Sequence, residues 1–419
     1  MHYLNNMEIT LKQIDEAAKR LDGVVTKTPL QLSKRLSEKY KATIYIKRED
    51  LQEVRSYKLR GAYNKMSSLS DDEKKRGIVA ASAGNHSQGV ALSCSLLKIY
   101  GTIFMPTTTP TQKINRVKHF GGKYVSIKLI GETYDEASHS AHKFCKEKKA
   151  VYVHPFNDPL TIAGQGTIAK EIDEQIDEVD VVVAPIGGGG CISGVSSYLK
   201  AHYPDVTIFG AEPAGAPAMY ESLRKKKLVT LEKIDTFVDG AAVQQVGDLT
   251  LEICQKSLKK VILVPEGKDC TTMIELYQNE GIIAEPAGAL SIASLDSIKN
   301  EIKGKTVVCI LSGGNNDISR YPEIMERSLV YLGLKHYFLL EFTQKPGQLR
   351  NFLDNALGPT DDIARFEYMK KTNKEKGAAL VGIELQDKKD LEPLLIRMKK
   401  AEIKFQTLSD KELLYSYLI

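Results

Sequence analysis

The sequence predicts an open α/β fold over most of its length, followed by a smaller βαββαβ unit of the ferredoxin-like kind. Three observations carry this. Between about residues 40 and 320, short apolar runs alternate with amphipathic helical stretches. Several runs are continuous in Val and Ile rather than alternating, as parallel strands covered on both faces require. After residue 320 the elements shorten and strands begin to follow strands.

Taken in order, the chain starts with a helix. Thr10 and Gln13 form a capping box, and Leu11, Ile14, Ala18 and Leu21 make one apolar face. Thr43–Lys47 reads as a strand, and a polar turn follows it. Lys58 then opens a helical pattern with Leu59, Ala62, Tyr63 and Met66 at spacings of three and four. Further strands are expected at 78–81, 102–105, 151–153, 179–186, 206–211, 261–264 and 306–311, and helices at 132–149 and 162–176. In the last part, strands at 336–342, 363–369, 378–385 and 403–408 enclose helices at 346–355 and 391–398. A polar hairpin region at 370–377 joins the middle strands.

The 419 residues exceed one ordinary core, so two or three domains are expected. A net charge of +5 without a basic block implies no nucleic acid. The six cysteines show no metal-site or redox-pair spacing and read as reduced thiols of a cytoplasmic protein. The N-terminal stretch does not read as a signal peptide, and no apolar run is long enough to cross a bilayer.

In open α/β sheets, sites form at the carboxyl ends of strands, so the junction loops are where chemistry is sought. A lysine at a helix start, near the positive end of the helix dipole, loses proton affinity and becomes a better amine nucleophile. Lys58 has that position. The strand at 78–81 leads into Ser82-Ala83-Gly84-Asn85-His86, small residues whose amides can hold an anion such as a carboxylate. The strand at 179–186 leads into Gly187-Gly188-Gly189-Gly190-Cys191, a run that lets backbone amides close around a phosphate. It lacks the Gly-Lys-Ser/Thr of a Walker loop. It also fails the dinucleotide fingerprint at the last glycine, where Ile192 or Ser193 stands, although Glu212 lies where a ribose-binding acid would. The strand at 306–311 ends in Ser312-Gly313-Gly314-Asn315, a hydroxyl that could meet a ring nitrogen; alone, it reads equally as a tight turn. An amine, an anion loop, a phosphate cup and a hydroxyl together describe a pyridoxal phosphate enzyme acting on an amino acid.

The chain resembles the fold-type II pyridoxal phosphate enzymes and, among them, the biosynthetic threonine dehydratases. Residues 56–62, Ser-Tyr-Lys-Leu-Arg-Gly-Ala, match the family's lysine segment, 82–86 its substrate loop and 187–190 its phosphate cup. Glu285-Pro286-Ala287-Gly288-Ala289 and residues 312–315 match its later motifs. The resemblance implies two open α/β lobes in a catalytic domain at 1–325, the smaller lobe at roughly 50–150, and an ACT-like regulatory domain at 335–419. It implies pyridoxal 5′-phosphate as cofactor. Lys58 would carry it as a Schiff base and later act as base at Cα. Ser82 and its neighbouring amides would hold the substrate carboxylate, Asn85 would bond the ring 3′-oxygen, and Gly187, Gly188, Gly189, Gly190 and Cys191 would hold the phosphate. Ser312 would face the pyridine nitrogen, with Tyr57 against one ring face and Gly240 near the other.

The implied reaction is dehydration and deamination of L-threonine to 2-oxobutanoate and ammonia, the committed step toward isoleucine. Isoleucine is the implied feedback inhibitor, acting through the C-terminal domain, where Lys345-Pro346-Gly347-Gln348-Leu349 resembles an effector-binding turn; a purely dimerising module is the other reading. A homo-oligomer, dimer or tetramer, is implied as well. Two departures bear on relatives. Serine racemases of this fold carry a serine where Ala83 stands, so racemisation is disfavoured. They also bind a divalent cation through an acid where Ala218 stands, so no metal is expected. The alternatives left open are a serine-preferring dehydratase, another fold-type II elimination or replacement enzyme, and a pyridoxal-binding sensor without turnover. Intact Lys58, Asn85 and Ser312 argue against the sensor.

Overall fold

The computed structural model describes residues 8–343, 345–368 and 376–408. The chain divides into two compact units, Met1–Glu266 with Glu275–Asn316, and Gly267–Ile274 with Asp317–Ile419.

Among the described residues, ten strands belong to the first unit: β1 (Leu30–Leu32), β2 (Thr43–Arg48), β3 (Ile78–Ala81), β4 (Gly101–Met105), β5 (Val125–Leu129), β6 (Val151–Tyr152), β7 (Val181–Pro185), β8 (Thr207–Pro213), β9 (Lys260–Val264) and β10 (Thr306–Leu311). They form two sheets. The larger has the order β1-β2-β10-β7-β8-β9, parallel except for the antiparallel edge strand β1. The smaller, β5-β4-β3-β6, is parallel throughout. The apolar runs explain the burial. Every residue of β3 and β7 is buried, and in β10 only Thr306 is not, because helices cover both faces. The main core packs Ile14 and Ala17 of the first helix against Ile162, Ile168, Val182 and Ile192. The Thr10–Gln13 capping box is present.

The expected strands occur within about two residues of their predicted bounds. β1 and β5 were not expected. β1 is only three residues long, and β5 is a half-buried edge with a weak pattern.

The second unit has β11 (Lys335–Thr343), β12 (Asp362–Tyr368), β13 (Lys376–Glu384) and β14 (Lys404–Thr407), in the antiparallel order β12-β13-β11-β14. Helices Gln348–Asn355 and Leu391–Lys400 follow β11 and β13, giving the βαββαβ order. Phe338, Phe352, Val381 and Leu394 centre its core. The predicted hairpin at 370–377 and the end of the strand at Met369 lie largely outside the described residues. Among the described residues no helix is long and apolar enough to cross a membrane.

Candidate active site

Lys58 begins the helix Lys58–Ser67, and Tyr57 stands at its N-cap. The preceding turn is tied to the end of β10. Tyr57 N–H donates to the Ser312 carbonyl at 3.2 Å, Gly314 N–H donates to the Arg55 carbonyl at 2.9 Å, and Ser56 bridges Gly313. The same segment of chain therefore fixes both the lysine and the hydroxyl end of β10. Lys58 Nζ donates to the Pro155 carbonyl at 3.1 Å and stands 5.3 Å from the centre of the Tyr57 ring. Burial pulls its amine down to about 8, against Cys191 and Glu285, which pull it up. An unprotonated amine is thus accessible near neutral pH.

The Pro155 carbonyl is held by a turn that uses a neutral imidazole. His154 Nδ1 accepts from Phe156 N–H at 3.2 Å and Asn157 N–H at 2.8 Å. Burial pushes His154 down to about 4, which keeps that nitrogen free to accept.

At the end of β3, Ser82 Oγ accepts from Gly84 N–H at 3.1 Å, and Asn85 opens the helix Asn85–Leu97. A Cβ added at Gly84 would meet nothing within 4 Å, so this helix start borders open space. His86 Nε2 bonds the Val153 carbonyl at 2.8 Å, while burial and then Lys58 push its ring down to about 3.

The glycine run follows β7 and opens the helix Gly190–His202. An added Cβ would lie 3.0 Å from the Ala241 backbone at Gly187, 2.2 Å from the Phe156 ring at Gly188 and 2.9 Å from the Phe156 backbone at Gly190. Gly189 has φ +93°, a conformation side chains rarely adopt. Thr250 Oγ1 donates to the Gly188 carbonyl at 2.7 Å and pins the loop from outside. Cys191 is buried in the first turn of that helix, and burial pushes its thiol up to about 12.

Ser312 is buried, and its Oγ donates to the Ala287 carbonyl at 3.2 Å. Gly240 lies against Ala287, whose Cβ would be 2.8 Å from an added Cβ. Glu212 is buried and accepts from the amides of Met219 at 2.7 Å and Tyr220 at 2.9 Å; among the described residues no group of three or more His, Cys, Asp or Glu is placed to share a metal.

Sequence reasoning quoted Glu285 and Asn315 as motif residues but missed the link they form. Glu285 and Asn315 link Asn85 to the end of β10, with Asn85 Nδ2 donating to Glu285 Oε1 at 2.6 Å and Asn315 Nδ2 to Asn85 Oδ1 at 2.7 Å. It also missed the His154–Phe156 turn. Glu285 and Asn315 lie within motifs that were noticed, and the His154–Phe156 turn follows the strand expected at 151–153. Their partners, however, lie far away in the chain.

Pyridoxal phosphate fits these residues: the glycine run after β7 presents backbone amides without side chains at a helix start, and a depressed amine is close enough to Cys191 of that run to feel its charge. The comparisons agree. A family model described as "Pyridoxal-phosphate dependent enzyme" matches residues 21–313, and one described as "C-terminal regulatory domain of Threonine dehydratase" matches residues 326–418. The L-threonine dehydratase biosynthetic IlvA of Bacillus subtilis is 52% identical over 415 residues, covering 99% of this chain and 98% of its own. That of Halalkalibacterium halodurans is 51% identical over 413 residues, covering 98% and 100%. The chain belongs to the biosynthetic L-threonine dehydratases. Within this family's wider fold, the processed form of threonine deaminase isoform 2 from Solanum lycopersicum superposes with a TM-score of 0.73 at 39% identity, covering 76% of this chain and 88% of that one. Maize serine racemase gives a TM-score of 0.71 at 32% identity, covering 77% and 98%.

Proposed function

We propose that the protein converts L-threonine to 2-oxobutanoate and ammonia with pyridoxal phosphate held between Lys58 and the glycine loop. The observation that carries this is Lys58: a depressed, half-buried amine at a helix start, in a chain about half identical, end to end, to biosynthetic threonine dehydratases. When bound, the cofactor supplies an electron sink conjugated to the substrate's α-carbon.

The chain's own residues do the rest. Lys58 Nζ would hold the cofactor and serve as the base at the substrate's α-carbon. The amides of Gly187 to Cys191 would hold the phosphate at the start of their helix, where the dipole favours an anion. The Ser82–Gly84 turn, at the start of another helix, holds the substrate carboxylate. Asn85 would hold the ring through its oxygen, Ser312 would offer the ring nitrogen a hydroxyl rather than a carboxylate, and Tyr57 and Gly240 would flank the two faces. A hydroxyl there would favour a neutral ring nitrogen, and so a milder sink suited to prompt loss of the β-hydroxyl. Loss of water across Cα–Cβ followed by addition of one water at carbon gives 2-oxobutanoate and ammonium, with no net redox change. Ala83 has no group to return a proton to the opposite face, which disfavours racemisation.

The match of residues 326–418 to a regulatory domain supports control at the second unit, and we infer isoleucine as the effector because the reaction leads toward it. A cytoplasmic location fits six free cysteines. Assembly as a dimer or tetramer belongs to the same proposal and is read from the mass in light scattering.

The test is 2-oxobutanoate release from L-threonine by the purified protein and by Lys58→Ala, each with and without isoleucine. Release abolished by Lys58→Ala and suppressed by isoleucine is expected. Undiminished release by Lys58→Ala would overturn the assignment of the lysine. Release indifferent to isoleucine would remove that effector alone.

A further inference from the structure

We propose that Glu285 is the positioning residue for Asn85, and that with Asn315 it dictates which atom of the Asn85 amide faces the cofactor ring. The inference rests on the reading of Asn85 as the ligand of the ring oxygen.

The argument is one of polarity. Amide oxygen and nitrogen are distinguished by their partners, so the chain of bonds needs an unambiguous end. Val54 provides one: its backbone carbonyl can only accept, and Asn315 Nδ2 donates to it at 2.7 Å. The same Asn315 nitrogen donates to Asn85 at 2.7 Å, so the Asn85 atom it meets is the oxygen. Asn85 Nδ2 then faces Glu285 Oε1 at 2.6 Å, and a carboxylate oxygen accepts. The other end is equally unambiguous, because Asn315 backbone N–H donates to Glu285 Oε2 at 3.2 Å. Turning over the Asn85 amide would set two donors, or two acceptors, face to face at both of its contacts. Asn85 Nδ2 has two hydrogens, and Glu285 takes one. The second remains as a donor of fixed direction for the ring oxygen.

Glu285 is diverted to this task. It occupies the N-cap of the helix Pro286–Ala293, where an acidic side chain ordinarily accepts from the helix's own first amides, yet it makes no such bond. Glu285 is buried and its carboxylate closely walled: a Cβ at Gly313 would lie 2.4 Å from Oε1. Burial, then Asp239, push Glu285 up to about 7, while Asn85, the Asn315 amide and Lys113 pull it down. Lys58 and Tyr57 face it from the lysine helix and its N-cap. Only the ionised form can accept from both neighbours with both oxygens, so protonation releases the amide.

The experiment titrates pyridoxal 5′-phosphate into the full-length apoprotein as wild type, E285Q, E285A, N85A and E285A/N85A. It reads the Kd and the absorbance of the bound cofactor between about pH 6 and 9, with the apoprotein melting temperature as a check of folding. Loss of one charge-assisted hydrogen bond predicts about tenfold weaker binding for E285A and for N85A. Because Glu285 acts through Asn85, the double variant should bind no more weakly than N85A alone. The wild-type absorbance should change with a midpoint above the usual carboxylate range, and E285Q should abolish that change. Losses that multiply in the double variant would overturn the proposal, as would a wild-type pH transition retained in E285Q. If E285A does not fold, E285Q decides, since a glutamine amide can satisfy Asn85 or the Asn315 N–H but not both. A wild type that takes up no cofactor would instead overturn the cofactor reading on which the inference stands.

Discussion

Arg60 and Glu49 meet in a fully buried bidentate pair, Nη2 to Oε1 at 2.7 Å and Nε to Oε2 at 2.8 Å. Glu171 takes Nη1 at 2.6 Å and Nη2 at 2.9 Å, and Lys47 Nζ donates to Glu171 Oε2 at 2.6 Å. Two cations and two anions thus balance beneath the helix that begins with Lys58. Removing one partner of such a buried cluster leaves uncompensated charge, at a cost of about 3–5 kcal/mol. Arg60→Ala is therefore expected to lower the unfolding free energy in urea by about that amount. Arg60→Lys should lose less, because an ammonium keeps the charge but cannot make the fork. An unchanged urea midpoint for Arg60→Ala would show that the cluster is not a structural anchor.

The lysine's depressed pKa carries its own stability signature. In the folded apoprotein the Lys58 amine titrates at about 8, and an unfolded lysine titrates near 10.5. Between those values the unfolded chain binds more protons, so Lys58's contribution to stability rises with pH across that window. Below 8 both states are protonated and the buried charge is a standing penalty. Lys58→Met should stabilise the apoprotein at pH 7 by about 1–3 kcal/mol, and the advantage should shrink as pH rises from 8 toward 10.5. Urea unfolding of both proteins at several pH values tests this. An advantage that grows with pH would mean that the native amine is not destabilised by burial.

Close backbone packing holds the same helix. A Cβ at Gly164 would lie 2.7 Å from the Arg60 carbonyl oxygen and 2.7 Å from Gly61 Cα, so the helices Lys58–Ser67 and Pro159–Asp173 approach through glycine. Backbone atoms cannot rotate away as a side chain can. Gly164→Ala should destabilise the apoprotein by about 1–3 kcal/mol. It should also weaken cofactor uptake, because the helix it displaces carries Lys58. Wild-type stability together with wild-type uptake would show that the helices can part without cost.

Much of this was legible in the sequence because it is local. Lys58 announces itself by opening a helical pattern after a strand, and four glycines after Val181–Val183 have few uses other than closing around an anion. The buried Val and Ile runs give the strands of the larger sheet in the same way. What was not legible depends on contacts distant in the chain. Lys47 reads as the polar end of a strand, and only the fold brings it to Glu171. Glu285 reads as part of a motif, and only the fold places its carboxylate on Asn85. β1 was missed because three residues are too few to show a period.

The glycine loop offers the sharpest separation of causes. At Gly188 the obstacle to a side chain is the Phe156 ring, 2.2 Å from an added Cβ, while at Gly189 it is the chain's own φ of +93° together with Thr250 at 2.8 Å. An aromatic ring can be removed by a second substitution; a backbone conformation cannot. Gly188→Ala and Gly189→Ala should each weaken pyridoxal phosphate binding at least about tenfold by pushing the loop's amides out of place. Adding Phe156→Ala should restore most of the affinity lost in Gly188→Ala and none of that lost in Gly189→Ala. The measurement is the cofactor Kd of the two single and two double variants, with Phe156→Ala alone as the reference. If Phe156→Ala rescues neither, the amides of Gly188 and Gly189 are constrained by the same backbone geometry, and the ring is a bystander. If it rescues both, the left-handed turn at Gly189 is not what shapes the cradle.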